Sequence, residues 1–338
     1  MTVSAGVEPE GTLDLLAPPG AFPHDLLERF TRTNGCLVSV HELTDPNRLS
    51  GLLGPKGRPV DVVAVRSDQA RELIDDGLVA ALDRRRLSML NQLARPFRRP
   101  DATTVDGTVY GVPYLWTAQA LLTARGAFPE GAPASWRVLY DATLRGQLAI
   151  PDSTLQVAAA ARFLGYASPF SLNQTQLAAV GRLLRVQRPL VRLYGNVPTL
   201  LALLRSGAVV AAAGPPSVAR GVASQIEATV PQEGTIGWTD TLLLGVRAKH
   251  PHCAYRFLQF VLLPRSQARL AAESGAGPTN PLGCRVAVKQ VCQALYRGAD
   301  AAMLQRVSFA GPPGTAATGR GDWADVWSAS RATTTGSG

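Results

Sequence analysis

Lysine is nearly missing from this chain. Of 34 basic residues only Lys56, Lys249 and Lys289 are lysines, so arginine carries the formal charge of +9. The arginines are scattered and do not form a stripe with interleaved aromatics, and aromatics are only 6% of the chain. That pattern argues against a nucleic-acid partner. The densest run, Arg84, Arg85 and Arg86 after Asp83 followed by Arg95, Arg98 and Arg99, is broken by apolar residues and reads as a solvated surface. Histidine occurs only as His24, His41, His250 and His252, with no serine elbow, phosphate loop or dinucleotide fingerprint beside it, so no enzyme is expected. The four cysteines, Cys36, Cys253, Cys284 and Cys292, form no C-x-x-C pair and no zinc spacing, and neither a metal nor a cofactor is expected. Cys284 and Cys292 are near enough in sequence to bridge, although an even count in a chain this long is a weak sign of disulfides. No apolar run approaches the ~20 residues of a membrane span. The opening MTVSAGVEPEGTLDLL has no basic segment, apolar core or cleavage site, and no export signal is read from it.

What is present is ordinary globular material: 338 residues, 46% hydrophobic and 17% charged, enough for two domains. Leu13 to Ala17 reads as a buried strand, with Phe22, Leu26, Leu27 and Phe30 at helical spacing after it, and Cys36 to Val40 and Val60 to Val65 read as a second and a third strand. Ala70, Leu73 and Ile74 form a helical stripe stopped at Gly77. Leu177, Val180, Leu183 and Leu184 repeat that stripe up to Pro189. Thr199 is placed to cap a helix through Leu204 that stops at Gly207, before a strand Ala208 to Ala213. Strands alternating with helices predict α/β architecture with parallel sheets and a ligand edge at the strand ends. From about Gly311 the chain turns to Gly, Pro, Ala and Thr, with a last helix around Trp323 and Trp327 and a frayed tail.

The most informative stretch runs from Val230 to Asp240: Val-Pro-Gln-Glu-Gly-Thr-Ile-Gly-Trp-Thr-Asp. Trp238 and Asp240 are two apart, so on a strand they share a face and offer an aromatic plane beside a carboxylate. A cation fits such a pair through the ring face and a charge-assisted hydrogen bond. With Ala254-Tyr255-Arg256-Phe257 and the helix ending at Pro264, the run resembles the P-x-E-G, x-W-x-D and A-x-x-F signature of the spermidine/putrescine-binding components of ABC importers. Further segments follow in the same order. Asp25 to Gly35 is similar to the family's first helix, Asp61-Val62-Val63 to a strand, and Tyr110-Gly-Val-Pro-Tyr-Leu-Trp116 to its first crossover. Ser135-Trp136, Leu148 to Asp152 and Leu164 to Ser168 come next. The resemblance covers about residues 11 to 327. It implies an α/β, two-lobe type II periplasmic-binding-protein fold, each lobe a central sheet flanked by helices, joined by hinge crossovers. Residues 11–115 with 240–298 are expected to form lobe 1, 116–239 with 299–328 lobe 2, and 329–338 a flexible tail.

The chain also departs from the family pattern. Pro18 and Ala21 stand where the family has aromatics, a lobe-two Trp falls near Ala212 or Ala213, a second acidic position falls at Leu155, and a loop Tyr falls at Asp68. The resemblance therefore implies a small polar, amine-bearing solute, a polyamine or another amine-bearing molecule, without fixing it as spermidine. It is captured between the lobes by hinge closure and delivered to membrane permease subunits by a monomeric, extracytoplasmic protein, with a cytoplasmic location left open. Trp238 and Asp240 are the first candidates for ligand contact, then Asp152, followed by Tyr114, Trp116 and Asp68. Ser67, at a strand-to-helix junction, is expected to cap the helix and to bring its first N–H groups toward a ligand. Glu233 is a candidate acceptor beside Gly234, and Tyr296 a further candidate. The alternative is a binding-fold protein with a degraded solute site, used for sensing or protein interaction.

Overall fold

The computed structural model describes residues 11–286, 292, 301–311 and 318–332. The first βα repeat follows the apolar pattern. Strand β1 (Thr12–Ala17) buries Leu13, Leu15, Leu16 and Ala17, and helix α1 (His24–Asn34) turns Leu26 and Phe30 inward. Gly35, at φ 71°, ends α1 in the left-handed conformation and returns its N–H to the Thr31 carbonyl. Strand β2 (Leu37–Glu42) pairs in parallel with β1 and lies at the sheet edge, which explains why Leu37 and Val40 are exposed. Strand β3 (Val62–Arg66), apolar and buried except at its last residue, pairs with the other side of β1, and helix α2 (Ser67–Asp75) follows directly.

The chain then runs through β4 (Gly111–Ala118), every residue of which is buried, into β5 (Ala120–Ala124) and β6 (Leu148–Pro151). Helices α3 (Leu155–Phe163) and α4 (Gln174–Gln187) come next. Asn173 and Gln176 close a capping box at the start of α4, each side chain accepting the other's backbone N–H. Strand β7 (Val191–Gly195) and helix α5 (Val197–Arg205) lead to β8 (Ala211–Gly214) and β9 (Ile226–Thr229). The cap of α5 is Asn196, which accepts from both the backbone N–H and the hydroxyl of Thr199, correcting the expectation that Thr199 itself caps. Strand β8 begins three residues later than the apolar run suggests, because pairing to Thr123 and Leu148 starts only at Ala211.

Strand β10 (Thr235–Gly245) is followed by α6 (Pro251–Val261) and α7 (Pro264–Ser274), each opened by a proline that has no N–H to leave unsatisfied, and then by the short β11 (Gly277–Pro278). Strand β12 (Val307–Phe309) and helix α8 (Arg320–Arg331) complete the described chain. Helix α8 carries the expected Trp323 and Trp327 but continues to Arg331, so residues 329–331, expected in a flexible tail, are helical.

The chain partitions into two compact units, Met1–Trp116 with Thr239–Ala299 and Thr117–Trp238 with Asp300–Gly338. The first contains a sheet in the order β11-β4-β10-β3-β1-β2. In the second, the order is β7-β6-β8-β5-β9. Both sheets are mixed and not purely parallel as predicted: β10 runs antiparallel to β3, and β5 antiparallel to β8 and β9. In the first unit, Phe22, Phe30, Phe257 and Phe260 form an aromatic core between α1 and α6. In the second, Trp323 and Trp327 of α8 complete the apolar layer over α3 and α4.

Candidate functional site

Asp240 sits in β10 directly across from Arg66, the last residue of β3, in the antiparallel register. Strand alternation buries Thr239 and Thr241, whose hydroxyls meet at 2.8 Å, and leaves Trp238 and Asp240 partly exposed on the other face. The Arg66 guanidinium does not close on Asp240. It binds Asp68 two residues ahead through Nε at 3.0 Å and Nη2 at 2.8 Å. Among the described residues no hydrogen bond reaches the Asp240 carboxyl. Burial pushes its pKa from the ordinary 3.8 up to about 6, with Arg66 opposing the rise and the Asp68 carboxylate adding to it. Tyr114 of β4 is near enough to feel the Asp240 charge; burial first, then that charge, raises its hydroxyl well above the ordinary tyrosine range. The neighbourhood thus holds two carboxylates, one guanidinium and a neutral phenol, a net charge of −1 once Asp240 ionises.

Ser67 lies beside this group in a role different from the expected cap. The N-cap of α2 is Arg66, with no side-chain cap, and the Ser67 hydroxyl instead accepts the Thr239 backbone N–H at 3.2 Å. It therefore ties the start of α2 to the strand that carries Asp240. Trp116 is fully enclosed, 6.1 Å from the Phe97 ring and packed on Gly277, where a Cβ would approach the indole nitrogen to 2.6 Å. Ser67, Asp68, Tyr114, Trp116 and Asp240 all belong to the first unit.

Asp152, Glu233 and Trp238 belong to the second. Both Asp152 oxygens are engaged: Trp327 Nε1 donates at 3.0 Å and Arg331 Nη1 at 2.7 Å, both from α8. Glu233 accepts from the Ser135 hydroxyl and, at 3.4 Å, from the Trp136 N–H. The indole of Trp136 donates to the Gly234 carbonyl at 2.9 Å. The Pro-Gln-Glu-Gly run is thereby fastened to Ser135-Trp136. Trp238 packs partly buried against the core of its unit. At the departures from the family pattern, Ala212 and Ala213 are buried within β8, and Leu155 is buried in α3. Tyr296 lies outside the described residues.

Two groups escaped the sequence reading. Arg66 could have been suspected, since it ends an apolar strand just before Ser67-Asp68. Asp14, Asp61 and His250 bring ligand atoms within 4.8 Å of one another. The buried Asp61 already accepts four hydrogen bonds: from Asp14 N at 2.8 Å, Lys249 N at 2.6 Å, His250 N at 2.8 Å and His250 Nδ1 at 2.9 Å. Burial works to raise its pKa, but these donors outweigh it and hold the carboxyl below its ordinary value. Its lone pairs are committed to joining β1, the start of β3 and the approach to α6, which does not suit a metal ligand.

Residues 26–282 match the sequence profile of the bacterial extracellular solute-binding proteins. The chain belongs to this family. The spermidine/putrescine-binding periplasmic protein of Escherichia coli K12 is 26% identical over 280 residues, 79% of this chain and 76% of that protein. A putrescine/cadaverine-binding protein of Pseudomonas aeruginosa is 24% identical over 272 residues, 76% of each chain. Among solved structures, the spermidine/putrescine ABC transporter substrate-binding protein of Streptococcus pneumoniae superposes with a TM-score of 0.82 at 17% identity, covering 95% of this chain and all (100%) of that one. An Agrobacterium tumefaciens binding protein in complex with agropinic acid gives a TM-score of 0.66 at 18% identity, covering 95% and 96% of the two chains. The fold of this solute-binding protein is the type II periplasmic-binding fold.

Proposed function

We propose that this protein captures a small amine-bearing solute for an ABC importer, outside the cytoplasm, with the ammonium group bound at Asp240. The observation that carries the proposal is a partly buried carboxyl with no hydrogen-bond donor among the described residues, in a neighbourhood of net negative charge. Such a group gains from a cation that brings its own donors. Trp238, on the same face of β10, adds a ring for the cation or its alkyl chain. The curated relatives are named for spermidine, putrescine and cadaverine, all amines, which supports the class. Closure of the two units around the solute and hand-over to membrane permease subunits belong to the same reading. The disulfides Cys36–Cys253 and Cys284–Cys292 suit an oxidising, extracytoplasmic compartment.

The test is a thermal-shift screen against diamines, triamines, amino acids, opines and organic acids, followed by calorimetry on Asp240→Asn. A saturable shift with one amine class is expected, of roughly 2.7 kcal/mol at about 100 times the dissociation constant. Asp240→Asn is expected to weaken that ligand by about 10- to 100-fold, or about 1.4 to 2.8 kcal/mol. Binding only to anions, or unchanged amine affinity in the variant, would remove Asp240 from the site.

A further inference from the structure

A concave surface lies between α1 and α6 in the first unit, with a volume of about 450 Å³, and shares no residue with the Asp240 neighbourhood. Three arginines line it: Arg29 from α1, Arg256 from α6, and Arg86 from the loop across the start of α6. Each is anchored by a group that leaves its charge intact. The Arg86 guanidinium lies 3.8 Å over the Tyr255 ring, which is itself fixed because its hydroxyl accepts the Asp83 N–H at 2.7 Å. Arg29 lies 5.5 Å over Phe260, and Arg256 donates to the Asn34 carbonyl at 2.7 Å. No carboxylate lines the groove among the described residues. Asp83 is close enough to Arg86 to be stabilised by it, yet its oxygens are taken up by Arg85 at 3.0 and 3.1 Å.

We propose that this groove is a docking site for an acidic protein segment whose carboxylates pair with Arg29, Arg86 and Arg256. Guanidiniums already held over rings or by a carbonyl lose little freedom on meeting a carboxylate, and their planar donor forks match it bidentately. His252 Nδ1 accepts from Arg86 Nη2 at 3.1 Å, and Arg256 follows His252 by four residues on α6, so the two guanidiniums are set about one helical turn apart and meet side chains spaced likewise on a partner. A flat membrane surface fits less well. Arg29 is half-buried on the groove wall over Phe260, where a protruding side chain reaches it and a bilayer plane does not.

The test uses the full chain and a fluorescein-labelled decaglutamate read by anisotropy, with anionic phosphatidylglycerol vesicles and inorganic phosphate as competitors. The Arg86→Gln/Arg256→Gln double variant is expected to bind the peptide about tenfold more weakly. A control with the same charge change on exposed arginines of the other unit, Arg145→Gln/Arg182→Gln, should stay within about twofold, as expected for charges outside the groove. Thr33→Glu, an exposed change that puts a carboxylate in the groove, should weaken binding as well and covers the case in which the double variant fails to fold. Equal losses in the two double variants would reduce the effect to diffuse charge and overturn the proposal. Vesicles that displace the peptide and themselves depend on Arg86 and Arg256 would overturn it in favour of a lipid headgroup.

Discussion

Asp240 and Asp61 show opposite solutions to the burial of a carboxylate. Asp61 is 1% exposed, and four donors keep it ionised. Asp240 has burial without donors, and its pKa rises to about 6. The sign of each effect follows from linkage. Below about pH 4, Asp240 is protonated in folded and unfolded chains alike. Between there and about pH 6 the folded chain retains a proton that the unfolded one has released, so stability falls as pH rises and levels off above. Asp240→Asn removes that penalty and is expected to stabilise the ligand-free protein at pH 7.5 by on the order of 1–3 kcal/mol while weakening the amine. Chemical denaturation at pH 4 and pH 7.5 checks this, since the gain should appear only at the higher pH. Amine affinity of the native protein should rise from pH 5 to pH 7 as Asp240 ionises. Asp61 behaves oppositely: its lowered pKa contributes stability above about pH 4 that is lost on acidification. Asp61→Ala strands four donors, and a loss of about 3 kcal/mol or more is expected in urea unfolding, or failure to fold.

At the level of single elements, β10 holds the most information. Its alternation puts Trp238 and Asp240 on one face and two buried threonines on the other, and its pairing sets Arg66 opposite Asp240. The two-residue spacing was legible in the sequence because strand period is local. The Arg66–Asp68 bond was not, because a guanidinium at a strand end has several reachable acids and only packing selects one. Strand β4 carries the complementary lesson. Trp116 is enclosed because Gly277 of β11 lets the indole lie against bare backbone. A methyl group there meets a rigid ring and cannot be absorbed by a rotamer change, so Gly277→Ala is expected to cost about 1–3 kcal/mol, measurable as a lowered urea midpoint. If the cost is negligible, the β4–β11 contact is looser than its geometry indicates.

Across the whole molecule, the first unit is built from two chain segments separated by most of the second. Cys36, at the α1–β2 junction, is joined to Cys253, in the first turn of α6, across 217 residues with Cα atoms 5.9 Å apart. The bond therefore staples the two segments of the discontinuous unit directly. Closing so long a loop restricts the unfolded chain strongly, and replacing both cysteines by serine is expected to lower stability by ~4 kcal/mol, read from denaturant unfolding of the first unit. No change would mean that the segments are held by the Phe30–Phe257 core alone. The same α1–α6 junction frames the arginine-lined groove, so loss of the disulfide should also weaken decaglutamate binding.

The sequence by itself determined the alternation of strands and helices, the family, and the pairing of Trp238 with Asp240, because apolar period and motif order depend on neighbours along the chain. Only the tertiary structure decided which acids remain available. Asp152 is claimed by Trp327 and Arg331 from 175 and 179 residues away, while Asp68 is claimed by Arg66. The same holds for the Cys36–Cys253 partnership and for the groove that gathers Arg29, Arg86 and Arg256. For Asp152, the disulfide and the groove, residues distant in sequence are brought together by burial of the strands and helices that carry them, whereas Arg66 and Asp68 are two apart and packing alone selects that pair from the acids within reach.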